Sequence, residues 1–246
     1  MRKLKNFLRN IFERFIGKGA KHIDCKMSFS QNGEDILLKI LLFDILKMPL
    51  ISYLDIGAND PRRFSNTYLF YTMFADKSKG MLIEPNPELC EKIRMVRKRD
   101  IVLQAGIVGS ETDNKMVYYM MSDNTLNTFS ETEMKNYEAE GYLLMKEVMI
   151  DVLGINTVLE RYGKCNLLSI DVEGLDFDIL KNLNYDLYAP EVICVENCRH
   201  NSVKHGATDI DKLLKEKGYT VFADTHVNTH VNTIFVLKVL YDNALN

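Results

Sequence analysis

The chain has 246 residues with a formal net charge of −3; 46% of the residues are hydrophobic and 26% are charged. This balance suits one large globular domain with its own core, and the small net charge gives no field that would attract nucleic acid. No apolar run approaches the roughly 18–20 residues that a membrane-spanning helix requires. The five cysteines are odd in number, include no CxxC pair and follow no signal-peptide pattern, which predicts free thiols and a cytoplasmic location.

Residues 1–25 form a basic amphipathic segment, which we predict to be a helix separate from the main domain. Its apolar side chains recur at helical spacing, and lysine and arginine side chains cover the opposite side. Such a helix packs on its own domain, joins two copies of the chain or another partner, or lies on an anionic membrane. We favour burial against protein, because that is the usual fate of an amphipathic face. The apolar residues are Leu4, Phe7, Leu8, Ile11, Phe12 and Phe15.

Residues 26–246 alternate between predicted strands and predicted helices, which is typical of an α/β domain with a parallel sheet. Two later strands, 219–224 and 232–238, are separated by a short polar segment and predict a C-terminal antiparallel hairpin. The other predicted strands are 51–57, 80–85, 101–108, 166–174 and 191–197, and the predicted helices lie near 66–77, 86–99, 154–162 and 175–183.

An insertion between residues 110 and 150 interrupts this alternation. It contains a predicted strand at 115–121, then the segment LNTFSETE, then a helix. Insertions beside the carboxyl ends of strands commonly shape substrate sites, so we expect this one to contact the substrate.

The first strand runs into the turn YLDIGANDP, which contains a single glycine, Gly57. It lacks the GxGxxG spacing that brings the backbone against a dinucleotide pyrophosphate, so the expected ligand needs no pyrophosphate cradle. Asp55 lies at the end of this strand and Asn59 follows in the loop. The turn therefore predicts a polar ligand site of another kind.

The second strand ends at Glu84, which is followed by Pro85 and Asn86. An acid at this position is well placed to accept hydrogen bonds from the two hydroxyls of a ribose. The structural alternative is that Glu84 caps the next helix, but Asn86 already meets that need. A nucleoside held without a pyrophosphate cradle, in a mixed sheet with a terminal hairpin, suggests S-adenosylmethionine.

Several motifs occur in an order that resembles the FkbM-type methyltransferases, over about residues 28–240. They are SQNGED, YLDIGANDPRRFSNTY, GMLIEPNPE, LNTFSE, LLSIDVEGLDFDIL and EVICVEN. The resemblance implies the class I S-adenosylmethionine-dependent fold, with a doubly wound, mostly parallel seven-stranded sheet and a C-terminal antiparallel hairpin strand. It also implies O-methylation, in many relatives of sugars of surface polysaccharides or of secondary metabolites. Residues 1–25 lie outside the resemblance.

The resemblance also implies where the cofactor would lie. Asp55, Gly57 and Asn59 would shape its methionine side, Glu84 would hold the ribose, and Gln104 with Ala105 would lie near the adenine. Many class I relatives carry an acid where this chain has Gln104. Several of these positions have a capping or turn explanation as an alternative. The predicted cofactor-binding residues are Gln31, Asp55, Gly57, Asn59, Asn66, Thr67, Glu84, Pro85, Asn86, Gln104, Ala105 and Asp171.

Carboxylates and an amide follow two predicted strands that we expect to be neighbours. Asp171 and Glu173 lie at the end of the predicted strand 166–174, and Glu196 and Asn197 end the predicted strand 191–197. Oxygen ligands of this kind suit Mg²⁺ or Mn²⁺, so we predict a metal site at Asp171, Glu196 and Asn197. Catechol O-methyltransferase is similar at this point, with Asp in place of Glu196. In the alternative, Asp171 contacts only the cofactor or the substrate, Glu196 accepts backbone N–H groups, and Asn197 caps the turn.

A sugar hydroxyl is a poor nucleophile at neutral pH, so the chemistry needs help with deprotonation. A bound divalent cation stabilises the alkoxide, whereas a metal-free enzyme needs a general base. We predict Asp171, Glu173 and His200 as the catalytic residues, with Glu173 and His200 as the candidate bases.

The leading hypothesis is therefore an O-methyltransferase acting on a small carbohydrate, free or nucleotide-linked. One alternative is a metal-independent methyltransferase acting on another small molecule. A nucleotide-sugar oxidoreductase or epimerase would need a glycine-rich pyrophosphate loop, which YLDIGANDP is not. A non-enzymatic scaffold that uses residues 1–25 is the remaining hypothesis.

Overall fold

The computed structural model describes residues 27–110, 115–197, 208–227 and 230–246. The predicted helix at 1–25 and the candidate base His200 lie outside these ranges. None of the helices within these ranges is long and apolar enough to cross a membrane.

The secondary structure follows the predicted alternation. The strands are β1 (Ile51–Ile56), β2 (Ser78–Ile83), β3 (Ile101–Leu103), β4 (Gly106–Val108), β5 (Lys115–Met121), β6 (Leu144–Gly154), β7 (Leu167–Ile170), β8 (Val192–Glu196), β9 (Tyr219–Val227) and β10 (His230–Leu237). The α-helices are α1 (Glu34–Lys39), α2 (Tyr68–Met73), α3 (Pro87–Val96), α4 (Glu131–Ala139), α5 (Ile155–Tyr162), α6 (Asp176–Asn182), α7 (Tyr185–Tyr188), α8 (Asp209–Glu216) and α9 (Lys238–Leu245). A π-helical segment (Ile40–Ile45) extends α1, and a 3₁₀ turn (Asn124–Leu126) precedes α4.

Seven strands form the main sheet in the order β3-β2-β1-β7-β8-β10-β9. The pairs among β3, β2, β1, β7 and β8 are parallel, and β10 is antiparallel to both β8 and β9. The predicted mixed sheet with a C-terminal hairpin is therefore confirmed.

The register of the parallel strands aligns their carboxyl ends. Ile56 of β1 pairs with Ile83 of β2 and with Ile170 of β7, and Ile170 in turn pairs with Val195 of β8. The next residues along these strands are Gly57, Glu84, Asp171 and Glu196. These residues, which the sequence singled out separately, thus lie in one row at one edge of the sheet.

The core lies on both faces of the sheet, which explains why its central strands are apolar without alternation. On β8, Ile193 and Val195 pack into one core cluster, while Val192 and Cys194 pack into the other. The side chains of β1 are divided between the same two clusters. The acidic side chains of β1 and β8 lie at or next to the carboxyl ends of these strands, where the packing stops.

The prediction of one continuous strand at 101–108 is wrong. The chain forms β3 in the main sheet, breaks at Gln104-Ala105, and then forms β4 in a second, three-stranded sheet of order β4-β6-β5. At Gly106 an added Cβ would lie 2.4 Å from Cζ of Phe129, so only glycine allows this close approach. The break turns the chain towards the insertion.

The sequence missed β6, which pairs with β5 along most of its 11 residues. Its buried positions are confined to the end near Ile150 and Val152, while most of the preceding residues are exposed. The alternation that marks a half-buried strand is therefore short here. Helices α1, α7, α8 and α9 were also not predicted.

A buried arginine joins α3 to the first strand. Arg97 is fully buried and forms a 2.8 Å ion pair with Asp100. It also donates hydrogen bonds of 3.1 Å to the hydroxyls of Tyr53 and Thr67, and the Thr67 hydroxyl donates to Asp55 at 2.6 Å. A buried cation therefore faces two buried carboxylates behind the end of β1.

We expect Arg97→Met to lower the free energy of unfolding by about 3–5 kcal/mol, because it leaves Asp100 and Asp55 buried without their cation. Urea unfolding measures this loss. Arg94→Met is the matched control, since Arg94 is exposed on the same helix and should cost no more than about 0.5 kcal/mol. Equal losses in the two variants would contradict the role of the buried network.

Candidate active site

A cavity of about 490 Å³ opens at the aligned carboxyl ends of β1, β2, β7 and β8. This volume lies within the roughly 300–1,000 Å³ range of small-molecule sites. The predicted residues in its wall are Gln31, Asp55, Gly57, Asn59, Asn66, Glu84, Pro85, Ala105, Asp171, Glu173 and Glu196. The sequence thus identified much of one continuous surface.

Gly57 is the tightest point of this surface. Its φ is +82°, and an added Cβ would lie 1.8 Å from the carbonyl oxygen of Asp171. Its N–H donates to the carbonyl of Ile83 at 3.0 Å. A side chain at this position would meet the backbone of β7, so the close approach of the strand ends requires glycine.

Glu84 is buried, and both of its carboxylate oxygens accept backbone hydrogen bonds. The N–H of Asn59 donates at 2.9 Å and the N–H of Asn86 at 2.8 Å. Burial raises the pKa of Glu84 to about 7, against the lowering effect of these two bonds, and the charge of Asp55 raises it further. Each oxygen keeps a lone pair for a ligand hydroxyl.

Asn86 and Thr67 lie outside the cavity wall. The side chain of Asn86 accepts the N–H of Glu88 at 2.9 Å and so caps α3. The hydroxyl of Thr67 is bound to Asp55 on the side away from the cavity. Asn66 does line the wall, and its amide donates to the hydroxyl of Ser169 at 3.3 Å.

Asp55 is held by its neighbours at the base of the cavity. Burial is the largest effect and raises its pKa, while the hydrogen bond from Thr67 and the charge of Arg97 lower it. Gln104 lies outside the wall, whereas Ala105 and Ile107 are part of it. After β3 ends, the chain therefore lines the cavity with the apolar side chains of Ala105 and Ile107, where the sequence suggested the amide of Gln104.

Three carboxylates meet at the β7 and β8 side of the cavity. Asp171, Glu173 and Glu196 each offer an oxygen, and these oxygens all lie within 4.8 Å of one another. Asp171 is exposed at the cavity, yet desolvation by the surrounding protein raises its pKa well above its ordinary value, and the charges of Glu196 and Glu173 raise it further. Burial, with Glu196 next, also raises the pKa of nearby Asp176 to about 7. Asp171 and Asp176 therefore bind a proton more readily than isolated aspartates do.

Asn197 is not part of this group. It is buried outside the cavity wall, and its amide donates to Asp211 at 3.2 Å and to Thr233 at 3.3 Å. Successive side chains along a strand point to opposite faces, so Glu196 and Asn197 diverge. The structure brings two of the predicted metal ligands together and adds Glu173, which the sequence had proposed as a base.

The insertion supplies wall residues that were not predicted individually, among them Tyr118, Asn127 and Phe129. Asn127 is only 7% exposed; its Oδ1 accepts the N–H of Met121 at 2.8 Å, and its Nδ2 has no hydrogen-bond partner among the described residues. This buried Nδ2 group can therefore donate a hydrogen bond to an acceptor atom of a ligand in the cavity. In the sequence, the motif LNTFSETE and the position of the insertion between residues 110 and 150 pointed to this part of the site.

The strand order, the terminal antiparallel hairpin and the cavity at the carboxyl ends define the class I methyltransferase fold. The sequence model of the family described as "Methyltransferase FkbM domain" matches residues 55–221, which is more than half of the chain. The chain therefore belongs to the FkbM methyltransferase family and is an S-adenosylmethionine-dependent methyltransferase.

Solved structures of similar fold include a precorrin-6y C5,15-methyltransferase from Geobacter metallireducens, with 14% identity and a TM-score of 0.44 over 82% of this chain and 87% of that chain. Fibrillarin from Aeropyrum pernix, with natively bound S-adenosyl-L-methionine, has 10% identity and a TM-score of 0.43 over 88% of this chain and 85% of that chain. A TehB-like methyltransferase from Corynebacterium glutamicum has 11% identity and a TM-score of 0.41 over 95% and 97%. No curated protein sequence matches the chain.

The pKa of Glu84 leads to a prediction about pH. We expect S-adenosylhomocysteine to bind more tightly as the pH rises through about 7, since the ionised carboxylate is the stronger acceptor for ribose hydroxyls. The stability contribution has the opposite sign: the folded pKa lies above the ordinary 4.5, so stability is lost as the pH rises towards and through 7.

Calorimetric titration measures the change in affinity and urea unfolding measures the change in stability. Both are carried out between pH 6 and pH 8, about one pH unit either side of the pKa of Glu84. Both changes should be smaller in Glu84→Gln and unchanged in Glu88→Gln, a control at an exposed position on α3. An identical pH dependence in Glu84→Gln and the unaltered protein would contradict the assignment.

Proposed function

We propose that the chain transfers a methyl group from S-adenosylmethionine to a hydroxyl of a sugar or nucleotide-linked sugar, in the biosynthesis of surface polysaccharide or of a secondary metabolite. The observation that carries this proposal is the group formed by Asp171, Glu173 and Glu196 in the wall of the cofactor-sized cavity. Carboxylates at that place suit an acceptor that must lose a proton. The carbohydrate class rests on the tendency of the FkbM-type relatives.

The residues of the cavity fit the cofactor. Gly57 allows the backbone to approach closely, Glu84 offers oxygens to ribose hydroxyls, and the Nδ2 of Asn127 offers a donor. Asp55, Asn59 and Asn66 would hold the methionine side, and Ala105 would contact the adenine. When bound, the cofactor supplies a methyl group on a positively charged sulfur, which a nucleophilic oxygen attacks in line.

Deprotonation of the acceptor is the task of the carboxylate group in this proposal. The pKa of Asp171 is raised well above its ordinary value, so its carboxylate is a stronger base than that of an isolated aspartate. The negative charges of Glu173 and Glu196 cause part of that shift, and they also favour the positively charged sulfur nearby. Positioning of the hydroxyl in line with the methyl group supplies much of the remaining rate.

A divalent cation is the second part of the proposal. The donor set of Asp171, Glu173 and Glu196 consists of hard oxygens, which Mg²⁺ or Mn²⁺ prefers. Bound there, the ion would lower the pKa of an acceptor hydroxyl. A metal-independent enzyme would instead use the same carboxylates as bases. His200, the other candidate base, lies outside the described residues.

The segment 1–25 is proposed to contact the domain, a second copy of the chain or an anionic membrane, and the cytoplasm is the proposed location. The oxidoreductase or epimerase alternative is not retained, because the chain belongs to a methyltransferase family.

The proposed reaction is tested with methyl-labelled S-adenosylmethionine and a panel of simple glycosides and nucleotide-linked sugars. We expect the label to appear in a methyl ether that resists alkali. Asp171→Asn should slow the transfer by about 10²–10⁴-fold, the usual contribution of a general acid or base. The matched control is Asp186→Asn, at an exposed position on α7. Label found only in an alkali-labile ester, or full activity of Asp171→Asn, would refute O-methylation by this group.

The metal is tested by titration with Mn²⁺ alone, followed by calorimetry or by the loss of its free paramagnetic signal. We expect one ion to bind, and Asp171→Asn and Glu196→Gln to weaken binding by about tenfold or more, since each removes a ligand. Asn197→Ser should leave the affinity unchanged, because the Asn197 amide donates to Asp211 and Thr233. No binding, or full methyl transfer in EDTA, would leave the metal-independent version.

A further inference from the structure

Glu173 has an unusual backbone conformation for its residue type. Its φ is +51°, and the next residue, Gly174, has a φ of +110°. A glutamate is rarely found in the left-handed region, and such conformations persist only where the surroundings enforce them. The turn between β7 and α6 must therefore be held in place by contacts from elsewhere.

Thr128 provides the first of these contacts, to the backbone. Its hydroxyl donates to the carbonyl oxygen of Glu173 at 2.7 Å and accepts the N–H of Ser130 at 2.9 Å. Thr128 is fully buried, and its own N–H and carbonyl both pair with Tyr119 of β5, at 3.1 Å and 2.8 Å. The hydroxyl thus extends from a residue that the second sheet fixes on both sides.

Tyr137 provides the second contact, to the side chain. It lies on α4 and packs with Met121 and Met134, and its hydroxyl donates a hydrogen bond to the carboxylate of Glu173. The same helix closes on the turn: a Cβ added at Gly174 would lie 3.1 Å from Cγ of Glu133. The insertion therefore contacts three parts of this turn, which are the backbone of Glu173, the carboxylate of Glu173 and Gly174.

We propose that Thr128 and Tyr137 are positioning residues that hold Glu173 beside Asp171 and Glu196. This inference rests on the proposed function, in which that group faces the methyl group being transferred. Like charges repel one another, so a free Glu173 side chain would turn towards solvent. The Tyr137 bond opposes that motion directly, and a bond to a carboxylate is among the stronger ones. The Thr128 bond fixes the backbone from which the side chain extends.

The insertion thus has a task beyond the substrate contact that its sequence suggested. The segment from Thr128 to Tyr137 builds the catalytic group, in addition to lining the cavity. An acceptor is not needed to form this arrangement, because every contact is internal to the chain. The site is therefore preorganised before any substrate arrives.

The test compares two cofactor analogues by calorimetry and needs no acceptor. S-adenosylhomocysteine has no group at the position of the methyl, whereas sinefungin carries a protonated amine there, which senses the nearby carboxylates. We expect Tyr137→Phe to lower the preference for sinefungin by about fivefold and to leave the affinity for S-adenosylhomocysteine within about twofold, as the loss of one charge-assisted bond predicts. Thr128→Val should act in the same direction.

Tyr142→Phe is the matched control, because Tyr142 packs edge-on against Tyr137 and is 38% exposed. In a Glu173→Gln background, Tyr137→Phe should have no further effect, since it acts through the charge of Glu173. Thermal unfolding checks that each variant is folded. If Tyr137→Phe does not fold, Thr128→Val takes its place in the comparison.

Loss of the proposed function and loss of the positioning role give different binding results. If S-adenosylhomocysteine does not bind the unaltered protein, the proposed function fails. If it binds, but the sinefungin preference is the same in Tyr137→Phe and in the unaltered protein, the positioning role is refuted. An equal effect of Tyr137→Phe with and without Glu173→Gln refutes it as well.

Discussion

The parallel register of β1, β2, β7 and β8 is the constraint on which the rest of the site depends. It places Gly57, Glu84, Asp171 and Glu196 in one row, although they are far apart in the chain. At Gly57 the strand ends are so close that no side chain fits, and this closeness gives the cavity its floor. Each polar residue of the row occupies the first position beyond the apolar core, where packing no longer forbids it.

Two polar networks support this row from opposite sides. Behind β1, Arg97 neutralises Asp100 and acts through Thr67 on Asp55, so that buried carboxylates are tolerated next to the cofactor cavity. On the other side, the insertion holds Glu173 in a conformation that it would not adopt alone. The first network is charged and buried, which makes it expensive to break. The second consists of the buried Thr128 and Tyr137, which hold the half-buried Glu173.

Much of the fold and part of the site could be predicted from the sequence, for identifiable reasons. Central strands such as β8 are buried on both faces and are therefore conspicuous as apolar runs. β6 is mostly exposed and was missed, and the break at Gln104 was missed because β3 and β4 form one apolar stretch. Gln104 and Thr67 were placed in the site by resemblance, yet they lie outside the cavity wall.

The sequence alone determined the family motifs, the alternation that makes a parallel sheet, and the acids at the strand ends. These are local properties, since the apolar residues of a strand and the polar residue at its end lie within a few positions of each other in the sequence. Only the tertiary structure decided which oxygens meet. It paired Glu173 with Asp171 and Glu196 and directed Asn197 towards Asp211 and Thr233. Side-chain direction at a strand end depends on the turn that follows and on the segments packed against it, and for Glu173 those segments come from the insertion, about forty residues earlier in the chain.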